Sequence, residues 1–290
     1  MSALLPEYRA AIEAVRPDLA DMPMVVHTRG WDSNAVEAGD TIFKFPKHDE
    51  AVGRLRREAG FLQLVHPRVP LAVPDMILHE EPMLFSQHRM IPGTIIETAG
   101  YEALDEAQRQ AMGDALGGFY AALHAIPVSD AVAVGAEPKP EWPAGSVVLP
   151  ALEAVLPGDA LAVARRAFAA YEALPVEDAV FGYFDGHGWN MAFDHERGVL
   201  NGVYDFADAA IGPRSREFVY SNLTAPDLTL RIIATYERLT GLSIDRRTVA
   251  LRTAVQNLSE LAEAEEEDPH FTRGVIAWLD YMQAREDMRI

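Results

Sequence analysis

Residues 184–193 read FDGHGWNMAF, and ten positions further on residues 203–208 read VYDFAD. Asp185 stands five positions ahead of Asn190, with His187, two glycines and Trp189 between them. Asp, Asn and Gly favour turns. The neighbouring runs are rich in β-branched and aromatic residues, which predicts short strands near 179–183, 190–194 and 199–205. The stretch therefore places Asp185, Asn190 and Asp205 at turns around two short apolar runs, and the rest of the chain must say why.

Towards the N-terminus, the segment 24–45 is predicted as strands with a hairpin turn at Ala38-Gly39-Asp40, and Pro46 closes the second of them. The next segment, 48–65, has helical spacing, with Leu55, Glu58 and Leu62 on one face. Lys44 lies on the preceding strand, on the same face as Ile42. A glutamate on an apolar helix face is costly to bury unless it is paired, and Lys44 is the obvious partner. DMILHEE and PMLFSQHRM predict another strand pair, and Ile91-Pro92-Gly93 breaks the pattern. Beyond it a long helix is expected over 102–126, a Pro-rich loop over 136–150 and a helix over 159–173. The C-terminal part is expected to be helical over 214–222, 227–240, 245–265 and 270–286.

This order predicts an α+β fold of two lobes. The divisions are a nucleotide-binding lobe with its leading helix at 1–86, a hinge at 87–93 and a catalytic and substrate lobe at 94–290. A cleft between lobes is a natural ligand site.

Composition narrows the partners. Formal net charge is −19, from 44 acidic and 25 basic residues, a surface that repels nucleic acid and anionic lipid and suits a cationic small molecule. The absence of cysteine excludes disulfides, thiolate zinc sites and cysteine nucleophiles and is compatible with a reducing cytoplasm. No apolar run reaches the length of a membrane span. The start, MSALLPEYRAAIEAVRP, reads as an amphipathic helix and not as a signal peptide, so a cytoplasmic protein is expected. Oligomeric state is not legible here.

Phosphoryl transfer from a nucleotide needs positioning, metal ions against the phosphate charge and a carboxylate for the attacking hydroxyl. In kinases an Asp and an Asn five residues later share the catalytic loop, and a further Asp follows the next strands. Asp185, Asn190 and Asp205-Phe206-Ala207 have that arrangement, with Ala in place of Gly. Lys44 and Glu58 supply the lysine and glutamate of the small lobe.

With these residues in order, the chain resembles the aminoglycoside phosphotransferase family, small-molecule kinases with a protein-kinase-like fold. GWDSNAVEAGDTIFKFPKHDEA (30–51), MIPGTII (90–96), LGGFYAALHAIPV (116–128), DGHGWN and VYDFADAAIGP each resemble a family segment. The resemblance implies ATP or GTP as donor, Mg2+ as cofactor and a small-molecule acceptor. It implies Asp185 as catalytic base, Asn190 and Asp205 as magnesium ligands, and Lys44, held by Glu58, on the nucleotide phosphates. Gly30, Ser33 and Asn34 would offer amides or a hydroxyl to phosphate, and the base would dock near Gln87, His88 and Met90. Asp208, Glu260 and Glu263 are the acceptor candidates: Asp208 resembles a recurrent family position, and Glu260 and Glu263 belong to the C-terminal helices, whose acidic residues surround the polyamine sugar in such enzymes.

Two departures stand out. Tyr183-Phe184-Asp185 replaces the usual His-Gly-Asp, and in IGPRSREF Glu217 stands near the expected Asp. They motivate an alternative, a nucleotide-binding pseudokinase without transferase activity. His124 is expected to bond locally at a helix end, His187 to be structural or a substrate neighbour, and the four tryptophans to pack.

Overall fold

The computed structural model describes residues 5–28, 30–264 and 268–290. Helix α1 (Leu5–Val15) precedes strands β1 (Met24–His27), β2 (Ser33–Ala38) and β3 (Thr41–Pro46), helix α2 (Asp49–Val65), and strands β4 (Ile77–His79) and β5 (Phe85–Arg89). The five strands form one antiparallel sheet in the order β1-β2-β3-β5-β4. Gly39, at φ 61°, makes the tight turn that joins β2 to β3.

Alternation along the strands decides what faces the cleft. Val36, Phe43, Phe45 and Phe85 point outward and form a cluster with Tyr8 and Ile12 of α1. Tyr8 stacks on Phe45 with ring centres 4.0 Å apart. The opposite face carries Ala35, Lys44 and Ser86 in register. Leu55, Glu58 and Leu62 of α2 are buried together, as their spacing required.

Strand β5 runs through Arg89, which pairs with Thr41 of β3. Gln87 and His88 therefore belong to the sheet, and the connection between lobes starts after them, not at residue 87. The connection docks at once on the second lobe through reciprocal bonds between Thr94 and Phe193.

The second lobe holds α3 (Thr98–Glu102), α4 (Glu106–His124), α5 (Val128–Ala133), α6 (Gly145–Leu152), α7 (Gly158–Glu172), β6 (Ala179–Gly182), β7 (Met191–Asp194), β8 (Val199–Val203), β9 (Ala210–Pro213), α8 (Pro226–Thr240), α9 (Arg246–Glu263) and α10 (Pro269–Ala284). β7 pairs with β8 and β6 with β9, both antiparallel. Helices α4 and α8 pack closely because Gly117 has no side chain. A Cβ there would lie 2.7 Å from that of Thr235.

Three expectations need correction. The helix expected over 102–126 is divided, because Asp105 and Gln108 form a reciprocal capping box that starts α4 afresh. Part of the expected loop at 136–150 is α6, whose Val148 and Leu152 bury against α9 residues. Residues 214–222 form two 3-10 turns after β9, a strand the sequence reading did not include. Among the described residues no helix is long and apolar enough to cross a membrane.

Candidate active site

The two lobes enclose a cleft of about 580 Å3, lined among others by Gly30, Ser33, Lys44, Glu58, Asp185, His187, Asp205 and Asp208. Lys44 Nζ donates to Glu58 Oε1 at 3.0 Å and to Oε2 at 3.4 Å. Burial alone would lower the Lys44 pKa, but the negative charges of Glu58 and Asp205 outweigh it and hold it above 10.5. Glu58 Oε1 also accepts the amide of Phe206 at 3.3 Å. The β3 lysine, helix α2 and the turn of Asp205 thus meet at one carboxylate.

The turn after β6 is built around Asp185. Its Oδ2 accepts from Asn190 Nδ2 at 2.6 Å, and its Oδ1 lies 3.1 Å from His187 Nε2. Asn190 Nδ2 also donates to the Asp185 carbonyl at 3.1 Å, which closes the loop on itself. Phe184 and Asp205 are non-glycine residues at positive φ, 52° and 65°. Backbone in that region is strained and persists only where its surroundings impose it.

Glu217 does much of that imposing. Its Oε2 accepts the Tyr183 amide at 2.8 Å and its Oε1 the Phe184 amide at 2.9 Å. His124 Nε2 stands 3.1 Å from Oε2, and His124 Nδ1 stands 3.0 Å from the Tyr236 hydroxyl. Glu217 is fully buried. His124 thus bonds across the lobe to residues of other elements, not locally. Tyr183 fills the histidine position of the family motif, and its hydroxyl donates to the Tyr204 carbonyl. On the far side, Thr224 Oγ1 accepts the Gly188 amide at 2.9 Å, a contact without a sequence signal.

Several expected nucleotide contacts are placed differently. The Asn34 side chain points to the outer face and donates to Tyr8 at 2.8 Å, because β2 alternation turns it away from the cleft. Gln87 shares that outer face, opposite Phe43. The Met90 amide donates to the Asp40 carbonyl at 2.7 Å and is not available to a base. His88 does lie on the cleft face, opposite Ile42. Burial, with the Lys44 charge behind it, pushes its pKa down to about 4, so the imidazole is neutral. Gly30 and Ser33 are at the cleft, where the Gly30 carbonyl accepts from Lys47.

Of the residues expected at the acceptor, Asp208 pairs with Lys139 at 2.5 Å. Glu260 accepts from Gln256, and loss of water on its protein side raises its pKa. Glu263 is exposed in the last turn of α9. Residues 265–267 of the acidic run lie outside the described residues. A second cavity, of about 400 Å3, opens beside His187, Gly188 and Trp189.

The donor set suits a hard cation. Asn190 directs its amide nitrogen to Asp185, which leaves its oxygen for another partner, and Asp205 adds a carboxylate at the cleft wall. Magnesium is bound through one or two carboxylates with waters and phosphates completing its shell. Among the described residues no group of three or more His, Asp or Glu side chains could hold an ion alone.

A model of the phosphotransferase enzyme family matches residues 25–251. No curated protein matches the sequence. Solved structures of similar fold include the GDP complex of wild-type aminoglycoside 2'-phosphotransferase-IIIa, at 20% identity and TM-score 0.77, covering 98% of this chain and 99% of that one. The macrolide 2'-phosphotransferase of Brachybacterium faecium is 18% identical with TM-score 0.62, covering 92% and 98%. The streptomycin-ATP ternary complex of APH(2")-IIa is 15% identical with TM-score 0.64, covering 100% and 99%.

Proposed function

Because the chain belongs to the phosphotransferase enzyme family, we propose that it is a small-molecule kinase that moves the γ-phosphoryl group of ATP, or of GTP, to a hydroxyl of a small cationic acceptor. The observation that supports this most is the gathering of Lys44, Glu58, Asp185 and Asp205 from four separate segments around one cleft.

Lys44 takes phosphate oxygens, with Glu58 fixing its ammonium. Gly30 and Ser33 close the phosphate end. Asn190 and Asp205 would hold magnesium, whose chemistry there is to neutralise phosphate charge in a cleft that also carries Asp185 and Asp208. Asp185 orients the acceptor hydroxyl and takes its proton. A bond forms from the acceptor oxygen to the γ-phosphorus, and the bond to the β–γ bridging oxygen breaks. The nucleoside diphosphate leaves with that electron pair.

The acceptor enters beside His187 and Trp189, where the second cavity shares His187 with the cleft that holds Asp185. Glu260 and Asp208 are the carboxylates that favour a cationic acceptor, and the similar folds with aminoglycoside and macrolide names support an antibiotic-like molecule. Glu217 holds the Tyr183 and Phe184 amides and the Tyr183 hydroxyl ties the turn to Tyr204, so the two departures from the family pattern compensate and favour the enzyme over the pseudokinase.

The test is magnesium-dependent transfer from ATP and GTP to aminoglycosides, macrolides, sugars and amino alcohols, beside Asp185→Ala. We expect transfer to one class, reduced by about 10² to 10⁴ in the variant. Transfer that survives Asp185→Ala, or a wild type that binds no nucleotide, would sink the reading.

A further inference from the structure

Trp142 lies in the loop before α6, far in sequence from the cleft, yet it touches two parts of the site. Its ring packs against a buried cluster of Phe184, Ala210, Val219 and Tyr220, and Phe184 directly precedes Asp185. The Arg216 guanidinium lies over the indole, 3.9 Å from the ring centre, and donates to the Pro140 carbonyl at 2.6 Å. The next residue, Glu217, holds the Tyr183 and Phe184 amides.

On its other side, Trp142 Nε1 donates to Gln256 Oε1 at 2.6 Å, and Gln256 Nε2 donates to Glu260 Oε1. An amide side chain has one acceptor oxygen and one NH2 group. An indole can only donate, so it fixes which end of Gln256 faces it. The NH2 end is thereby aimed at Glu260. Gln256 is buried, which removes competing water. Two hydrogen bonds thus tie Glu260 to the indole that packs against the cluster of Phe184, the residue before Asp185.

We propose that Trp142 and Gln256 are positioning residues for acceptor recognition: they hold the Glu260 carboxylate beside the turn of Asp185, where it takes a protonated amine of the acceptor. The inference rests on the kinase reading above. It adds that the acceptor contact and the catalytic turn share one indole, so amine binding and Asp185 placement are coupled through Trp142.

The test is calorimetric binding of kanamycin, a sugar with several protonated amines, beside the neutral disaccharide maltose, with ATP binding measured in parallel. The variants are Glu260→Gln, Gln256→Met and Trp142→Phe, the last of which keeps an aromatic ring under Arg216 but removes the pyrrole ring with its N–H. Wild type is expected to bind kanamycin and not maltose. Glu260→Gln should weaken kanamycin about tenfold, the worth of one charge-assisted contact. Trp142→Phe and Gln256→Met should weaken it several-fold each, with ATP affinity within about twofold of wild type. Adding Trp142→Phe to Glu260→Gln should cost nothing further, a non-additivity that a merely structural role does not give. Kanamycin binding that is absent in wild type, unchanged in the two positioning variants, or additive in the double variant would overturn the inference and leave the kinase reading intact. Failure of wild type to bind ATP would remove both.

Discussion

Glu58 Oε1 lies 3.0 Å from Lys44 Nζ and 3.3 Å from the amide nitrogen of Phe206, so one carboxylate joins the lysine strand to the turn that carries Asp205. Only 4% of the Glu58 side chain is exposed, against 22% of Lys44. Removing one member of such a pair strands the other charge, whereas replacing both with apolar groups is often close to neutral.

Lys44→Met should therefore destabilise the chain by about 3 kcal/mol in urea denaturation. The double variant Lys44→Met/Glu58→Met should recover most of that loss and still bind nucleotide at least about tenfold more weakly than wild type. Recovery of both stability and binding would show that the pair only braces the lobe. The stabilisation has little pH dependence near neutrality. The Lys44 pKa is raised, so the contribution is complete below pH 10.5 and fades only as pH climbs past the folded value.

Glu217 is the acceptor for two backbone amides and a neighbour of His124 at full burial. Glu217→Gln keeps the shape but has a single acceptor oxygen, and its NH2 would face a backbone N–H. We expect about 2 kcal/mol of destabilisation from the unpaired donor and a fall in kcat of at least about tenfold. Nucleotide affinity should stay within about twofold, because Lys44 and Glu58 are untouched. An unchanged kcat would mean that Glu217 holds the fold without holding Asp185.

Much of this was legible in the sequence because it follows from period and spacing. Alternation in β3 put Lys44 on the cleft face, helical spacing in α2 put Glu58 opposite it, and turn residues marked Asp185 and Asp205. What escaped depends on partners distant in sequence. His124 meets Glu217 and Tyr236 only after α4, α8 and the 3-10 turn at Arg214–Phe218 pack together. Trp142 reaches Gln256 across 114 positions. Asn34, expected at the phosphates, faces outward because β2 alternation is strict, and one residue along the strand exchanges cleft for outer face. The start of α4 was readable from Asp105 and Gln108, spaced as a capping box.

His88 gives a pH test. Its ordinary pKa of 6.5 is pushed down to about 4 by burial and by the Lys44 charge. The unfolded chain therefore takes up a proton that the folded chain refuses. That contribution to stability is complete above pH 6.5 and is lost as pH falls towards 4, by at most about 3 kcal/mol. Urea midpoints of wild type and His88→Leu, compared at pH 7 and pH 4.5, should diverge in that sense, with the variant losing less on acidification. Parallel curves would place the imidazole in water.

Tyr120 and Gly186 make the last relationship. Among the described residues the buried Tyr120 hydroxyl has no hydrogen-bond partner, and it lies directly beneath the Asp185 turn. A methyl group at position 186 would run into that oxygen, with the ring carbon Cζ next at 3.2 Å. Gly186→Ala alone should cost about 1 to 3 kcal/mol, as overpacking does, and should lower kcat by lifting Asp185. Tyr120→Phe alone should be neutral or slightly stabilising, because it deletes an unsatisfied buried hydroxyl. The double variant should regain much of the lost stability and activity, since the remaining contact at 3.2 Å needs a shift of only a few tenths of an ångström. A coupling of at least about 1 kcal/mol in that cycle is expected, and additive effects would mean that the turn is held at Glu217 and Asn190 with Tyr120 a bystander.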